Sequence, residues 1–201
     1  MTNIFDIHTH NADAPANAFI NLPMDVLEDP MSFRPVAGRQ YSAGIFPLFA
    51  GDWDKVYRQL ETLSSHSQLK AIGECGLDRR SEISLAQQTE YYKKQAELAV
   101  SINKPLIIHC VGCWSELMAA YIPSSVPFIV HGFRGKPQLA EQLLKKGFSL
   151  SFGPLFNPQS LMICPPERYY METDANQNMT INQVAQIHSQ YVTGQKKCNY
   201  R

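Results

Sequence analysis

The sequence lacks a hydrophobic run long enough to cross a membrane, and it lacks an export signal. No segment approaches the roughly 20 consecutive apolar residues of a membrane-spanning helix. The first residues carry neither the basic nor the apolar region of a signal peptide. Five cysteines, an odd number, fit reduced thiols better than a disulfide framework. These absences predict a cytoplasmic protein with no membrane contact, and no feature of the sequence indicates a protein partner.

An excess of charge of either sign is also absent, because 18 basic residues balance 18 acidic residues. Proteins that rely on long-range attraction to nucleic acid are usually basic, since neutralised phosphates supply most of the nonspecific affinity. The balance therefore predicts that any anionic substrate is held by local charges around a site.

Hydrophobic residues are plentiful, at 44% of 201 residues, and they suffice for one globular domain over residues 1–201. Eight apolar runs of strand length recur, and helical start and stop signals lie between the later runs. Alternating strands and helices predict parallel βα units, and eight such units predict a TIM barrel rather than an open sheet. The predicted strands are residues 4–8, 17–22, 41–48, 69–74, 105–110, 127–131, 148–152 and 169–172.

Capping signals define the predicted helices. Two capping boxes, Ser84 with Gln87 and Thr180 with Gln183, each place a Gln three residues after the capping hydroxyl. Gly147 suits the position after a helix end. With their caps, the predicted helices are residues 52–64, 84–102, 116–121, 137–147 and 180–191.

The chain is shorter than the usual barrel of about 250 residues, and the shortening is visible near its start. Only a few residues separate His10 from the second strand, which is too few for a crossover helix of about ten or more residues. Residues 23–40 contain three prolines and predict an irregular loop with at most one short helix. We therefore predict a distorted, shortened TIM barrel.

Residues with metal-binding side chains fall at the ends of the predicted strands. His8 and His10 share one face of the first strand, with Cα atoms about 6.6 Å apart, so two imidazoles can contact one ion. The C-terminal ends of the strands carry the active site of such barrels. Four imidazoles and two carboxylates exceed one tetrahedral zinc site and suit two divalent ions that share a carboxylate. The remaining candidates are Glu74, His109, His131 and Asp174.

The last of these positions has an alternative. Glu172 and Asp174 can both point into the barrel, and spacing does not choose between them. His66 and His188 lie in or after predicted helices, away from the strand ends, and are predicted to be surface residues.

Five motifs surround these residues: Asp6-Ile-His-Thr-His10, Ile72-Gly-Glu-Cys-Gly-Leu-Asp78, Ile107-Ile-His109, His131-Gly-Phe-Arg-Gly135 and Glu172-Thr-Asp174. In this order they closely resemble the TatD family of metal-dependent hydrolases and deoxyribonucleases. The resemblance spans nearly the whole chain.

The resemblance implies a role for each candidate. His8, His10 and Asp174 bind one metal, His109 and His131 bind the other, and Glu74 bridges both. Asp174 also orients the nucleophilic water and accepts its proton, so Asp174 and Glu74 are the expected catalytic residues. Two divalent ions, either zinc or magnesium/manganese, are the expected cofactors.

The sequence departs from the family pattern at two places. The third strand reads Gly44-Ile-Phe-Pro47, where Phe46 replaces the usual His. After His109, where many members carry a basic residue, the run is Cys110-Val-Gly-Cys113. Phe46 and Gly112 weaken the prediction of a nucleic-acid substrate, but neither affects a metal ligand.

Cations follow two of the motifs and argue for a phosphate substrate. Arg79 and Arg80 follow the Glu74 motif, and Arg134 and Lys136 follow His131. Guanidinium groups match phosphate oxygens with two parallel hydrogen bonds. We therefore predict that Arg79, Arg80 and Arg134 bind substrate.

The leading hypothesis is a hydrolase that cleaves a phosphoester, with DNA as the expected substrate. One alternative is a small-molecule esterase, lactonase or amidohydrolase that uses the same metals. Another is a noncatalytic metal-binding interaction protein, which the complete ligand set disfavours.

Overall fold

Eight parallel strands form a closed barrel in the computed structural model, which describes residues 4–198. The strands are β1 (Asp6–Thr9), β2 (Ala18–Asn21), β3 (Gln40–Ala43), β4 (Leu69–Asp78), β5 (Leu106–Val111), β6 (Phe128–Val130), β7 (Ser149–Phe152) and β8 (Tyr169–Met171). Each strand pairs with the next, and β8 pairs with β1 to close the barrel. The predicted TIM-barrel fold is confirmed.

Within the described residues, seven α-helices accompany the strands. None of them is both long and apolar enough to span a membrane. They are α1 (Met24–Glu28), α2 (Trp53–Ser64), α3 (Leu85–Ser101), α4 (Trp114–Ala119), α5 (Pro137–Lys146), α6 (Pro158–Ile163) and α7 (Ile181–Cys198).

The barrel is shortened between its first three strands, as predicted. Across the described residues, β1 runs to β2 without a helix, and only α1 and a 3-10 turn at Pro30–Ser32 separate β2 from β3. The strand register also shifts within the β1–β2, β3–β4 and β4–β5 pairs. These irregularities account for the distorted barrel.

Capping side chains begin α2, α3 and α7 at the predicted positions, whereas α4 begins at Trp114 rather than at residue 116 and has no side-chain cap. Asp52 accepts a hydrogen bond from the backbone nitrogen of Lys55 at 2.9 Å. Thr180 and Gln183 form a reciprocal capping box, with distances of 2.8 and 3.4 Å from each backbone nitrogen to the other side chain. Gly147 ends α5 with a φ of 120°, a left-handed conformation that glycine adopts without strain.

Two strand ends differ from the prediction by four residues or more. β3 stops at Ala43 rather than residue 48, because the backbone nitrogen of Ile45 donates to the Gln95 side chain at 2.7 Å instead of continuing a ladder. β4 continues past Glu74 to Asp78, because β5 supplies regular pairing partners through this segment. Such partners come from distant residues, so local sequence does not reveal them.

The short helix α6 was not predicted, although its start signal is present. Asn157 accepts a hydrogen bond from the backbone nitrogen of Gln159 at 3.0 Å, and Pro158 occupies the first helical turn. Pro at this position costs little, because the first nitrogens of a helix have no intrahelical partner.

Buried aromatic and aliphatic side chains form one hydrophobic cluster that joins the barrel to its helices. Phe128 and Phe152 come from β6 and β7, Phe148 directly precedes β7, and Leu60 and Tyr92 come from α2 and α3. This burial is the main favourable contribution to folding. It fixes the positions of the strand ends that carry the polar residues described below.

His188 in α7 is buried, so the prediction that it is a surface residue was wrong, whereas His66 is partly exposed. His188 Nδ1 lies 2.6 Å from the Tyr169 hydroxyl, and Nε2 lies 3.0 Å from the Gly153 carbonyl oxygen. A neutral ring protonated at Nε2 satisfies both contacts, because it donates to Gly153 and accepts from Tyr169. Burial lowers the pKa of His188.

Replacing His188 by Gln is expected to lower the free energy of unfolding by about 1–3 kcal/mol, because buried hydrogen bonds are lost. The folded-state pKa of His188 lies below the ordinary value of 6.5. Its stabilising contribution is therefore complete above the unfolded-state pKa and is lost as the pH falls from there towards the folded-state pKa. Urea unfolding of both proteins at a pH above and a pH below that range measures the effect. Acidification should lower the free energy of unfolding less in His188→Gln than in the wild type. Equal losses would contradict this account.

Candidate metal centre

The loop after β8 brings Asp174 beside the two histidines of β1. The backbone nitrogen of Asp174 donates to the His8 carbonyl at 3.0 Å, and the nitrogen of His10 donates to the Asp174 carbonyl at 3.0 Å. Asp174 has a left-handed backbone with a φ of 52°. Its Oδ1 lies 3.8 Å from His8 Nε2 and 3.6 Å from His10 Nε2. These three side chains form a cluster that could hold a metal ion.

Glu74 lies at the centre of the site. Its Oε2 is 3.4 Å from Nε2 of both His8 and His10. Its Oε1 is 2.9 Å from His109 Nδ1 and 2.8 Å from His131 Nε2. The two oxygens of one carboxylate thus face two separate pairs of imidazoles. All six predicted ligand residues therefore meet at the C-terminal mouth of the barrel.

Two further carboxylates contact the second pair of imidazoles from behind. Asp78 Oδ2 lies 2.9 Å from His109 Nε2. Glu172 Oε1 lies 3.4 Å from His131 Nδ1 and accepts a hydrogen bond from the backbone nitrogen of Gly132 at 2.7 Å. Carboxylates in this position fix the tautomer and the orientation of metal-binding histidines.

Neither of these two contacts was predicted from the sequence. The sequence could have indicated the Asp78 contact, because Asp78 follows Glu74 by four residues. In a regular strand, residues an even number apart share one face. For Glu172 the sequence left only a choice between it and Asp174. In the structure Asp174 lies with His8 and His10, whereas Glu172 is fully buried behind His131.

Burial and ionic contacts oppose each other at Glu74 and His131. Burial alone would raise the pKa of Glu74, but His131 and hydrogen bonds from the imidazoles hold that pKa well below its usual range. Burial alone would lower the pKa of His131, but Glu74 and Glu172 raise it well above its usual value. The two carboxylates thus favour a protonated, positively charged His131 ring. A bound divalent cation would replace that proton.

The chemistry of the site fits a metal. His8 is fully buried, and neither of its ring nitrogens has a hydrogen-bond partner in the described part of the chain. An unpaired buried polar group is costly, and metal coordination would satisfy it. Three sets of side chains bring their ligand atoms within 4.8 Å of one another: His8 with His10 and Asp174, His8 with Glu74 and His131, and His131 with Glu172 and Asp174.

A cleft of about 350 Å³ opens above these side chains. Its polar side is formed by His10, Glu74, His109, His131 and Asp174. Its other side is largely apolar and includes Leu22, Pro23, Met24 and Phe46. The Phe46 ring packs edge-on against the His109 ring, with centroids 4.9 Å apart. The cleft therefore combines a charged floor with an apolar wall.

The three arginines predicted to bind substrate have different surroundings. Arg79 pairs with Glu116 and donates to the Gly112 carbonyl at 2.7 Å. Arg80 donates to Asp78. Arg134 is exposed, and its side chain makes no hydrogen bond or ion pair with any other described residue. Arg134 thus keeps its guanidinium group available, whereas Arg79 and Arg80 are already paired.

The structure is an eight-stranded parallel barrel with a candidate metal centre at the C-terminal ends of its strands, the face that carries the active site in such barrels. Residues 38–193 match the family model described as TatD related DNase. The chain belongs to the TatD family. Glu74, His109, His131 and Asp174 lie within the matched residues, whereas His8 and His10 precede them.

Curated relatives carry the name 3'-5' ssDNA/RNA exonuclease TatD. The protein of this name from Cronobacter turicensis is 32% identical over 155 residues, which cover 71% of this chain and 59% of the relative. Its namesake from Pantoea ananatis is 29% identical over 147 residues, which cover 67% of this chain and 56% of the relative. The chain thus spans little more than half the length of these curated relatives.

Solved structures share the fold. The crystal structure of YJJV, a TatD homologue from Escherichia coli, superposes with a TM-score of 0.68 and 18% identity, covering 94% of this chain and 97% of the other. A TatD family hydrolase from Entamoeba histolytica gives a TM-score of 0.59 with 18% identity, covering 84% and 72% of the two chains.

Proposed function

We propose that this protein is a metal-dependent phosphoesterase whose single domain holds two divalent ions. His8, His10 and Asp174 would hold one ion, His109 and His131 would hold the other, and Glu74 would bridge them. The proposal rests mainly on the Glu74 carboxylate, whose oxygens face two pairs of imidazoles at 2.8–3.4 Å. Imidazole suits zinc, whereas magnesium and manganese prefer oxygen ligands, so zinc is the first candidate.

Asp174 is the proposed base for the attacking water. Its side chain is 32% exposed and lines the cleft, so it can reach both a water molecule and the half-site of His8 and His10. Divalent ions in such a site lower the pKa of water and neutralise charge on the phosphoryl oxygens. Asp174 would orient the attacking water and accept its proton, while Glu74 keeps the two half-sites together.

Single-stranded nucleic acid is the proposed substrate. The names of the curated relatives support this choice. So does the exposed guanidinium of Arg134, which lies three residues after His131 and can contact a phosphate without breaking an ion pair. With a formal net charge of zero, the chain would depend on such local cations.

Zinc-loaded protein should shorten end-labelled single-stranded DNA and should also hydrolyse bis(p-nitrophenyl) phosphate. Carboxylic esters of similar size should react more slowly, because the charged floor of the cleft favours a phosphoryl group. Gel analysis of the DNA and absorbance of the released nitrophenol measure the two reactions. Nuclease activity no greater than that of Glu74→Gln would contradict the proposal.

The apolar wall of the cleft favours a second candidate, hydrolysis of a small ester by the same residues. Leu22, Met24 and Phe46 offer apolar contacts that a small organic substrate can use. Efficient cleavage of small carboxylic esters or lactones without DNA cleavage would support this candidate. Two bound zinc ions with no hydrolysis of either class would instead indicate a noncatalytic metal-binding protein.

A further inference from the structure

Arg80 is predicted from the sequence to bind substrate, but in the structure its side chain is directed to Asp78. The guanidinium Nε lies 3.0 Å from Asp78 Oδ1, and Nη2 lies 2.6 Å from Asp78 Oδ2. The backbone nitrogen of Arg80 also donates to Oδ1 at 2.9 Å. A two-oxygen contact of this kind fixes the plane of the carboxylate as well as its position. Arg80 therefore holds Asp78 in one orientation.

Asp78 in turn determines which nitrogen of His109 carries hydrogen. Its side chain is fully buried, and Oδ2 lies 2.9 Å from His109 Nε2. An ionised carboxylate only accepts hydrogen bonds, so His109 donates from Nε2. In a neutral ring, Nδ1 then presents a lone pair towards Glu74 Oε1, which is 2.9 Å away. A proton or a metal ion is needed between these two acceptors.

We propose that Arg80 and Asp78 are positioning residues that fix the His109 ring for metal coordination through Nδ1. The contacts form a chain from the protein surface to the metal centre, in the order Arg80, Asp78, His109 and Glu74. The Arg80 side chain is 65% exposed, whereas Asp78 is completely buried. Outer partners of this kind change the metal affinity without contacting substrate. The inference rests on the proposed metal site and identifies the residues that orient one of its ligands.

Competition of zinc against a chromophoric chelator tests the inference without measuring catalysis. Asp78→Asn is expected to weaken zinc binding by about 10- to 100-fold, the usual effect of removing an outer partner. Arg80→Ala is expected to weaken zinc binding by about three- to tenfold, because Arg80 acts on His109 only through Asp78. Arg80→Lys should lie between Arg80→Ala and the wild type, because an ammonium group cannot hold both carboxylate oxygens in one plane.

Arg79→Ala is the matched control for metal affinity. Arg79 is a neighbouring exposed arginine that pairs with Glu116 rather than with Asp78, so its removal should leave zinc affinity unchanged. Nitrogen-15 NMR of the histidine rings provides a second readout, because His109 should carry hydrogen at Nε2 in the wild type. Thermal unfolding of each variant separates weaker zinc binding from misfolding, and the exposed position of Arg80 favours a folded variant.

The outcomes distinguish three cases. If Arg80→Ala raises KM for DNA but leaves zinc affinity unchanged, Arg80 binds substrate and the positioning role is wrong. If His109 carries hydrogen at Nδ1 in zinc-loaded protein, the assigned coordination is wrong. If the wild-type protein binds no zinc, the proposed function itself fails.

Discussion

Glu74→Gln is expected to lower the turnover of a phosphoester by about 10³-fold, because each factor of ten corresponds to about 1.4 kcal/mol and bound metals contribute several kcal/mol. Glu74 contacts all four imidazoles of the site through its two oxygens. Gln has the same shape but no charge, and its amide nitrogen cannot bind a cation. Turnover of bis(p-nitrophenyl) phosphate and zinc content after loading are the two measurements.

Glu97→Gln is the matched control for this substitution. It makes the same chemical change at an exposed position of α3, at a residue that does not line the cleft. Its turnover and zinc content should equal those of the wild type. A Glu74→Gln variant that keeps two zinc ions and wild-type turnover would contradict the bridging role, provided that its circular dichroism spectrum is unchanged.

Zinc is expected to raise the melting temperature of the wild-type protein by about 5–10 °C. A ligand at 100 times its Kd stabilises the folded state by about 2.7 kcal/mol, and each kcal/mol corresponds to about 2–4 °C for a chain of this size. The proposed ligands extend from His8 to Asp174 and meet only when the barrel closes, so the unfolded chain has no comparable site. Differential scanning calorimetry measures the shift.

Addition of a strong chelator should reverse this increase completely. The Glu74→Gln variant should show a much smaller increase, because its two half-sites lack the shared carboxylate. Equal increases for the two proteins would mean that zinc binds elsewhere. An unchanged melting temperature in protein with two zinc ions bound would show that the folded and unfolded chains bind the metal equally.

Much of the site could be predicted because its residues follow local patterns. His8 and His10 are two residues apart at the end of the first strand, and Glu74, His109 and His131 end apolar runs. The structure brings these residues together with Asp174, as the barrel prediction requires. The burial of His188 could not be predicted in the same way, because its partners Tyr169 and Gly153 are contributed by other elements.

The amino-acid sequence by itself determined the eight-stranded barrel, the helix starts and the candidate ligands, because hydrophobic periodicity, caps and strand-end residues are local properties. Only the tertiary structure decided how the charged side chains pair. It directs Arg80 to Asp78 and places Glu172 behind His131, leaving Asp174 with His8 and His10. These choices depend on distances between side chains from different strands, which are set only when the barrel closes and its register is fixed.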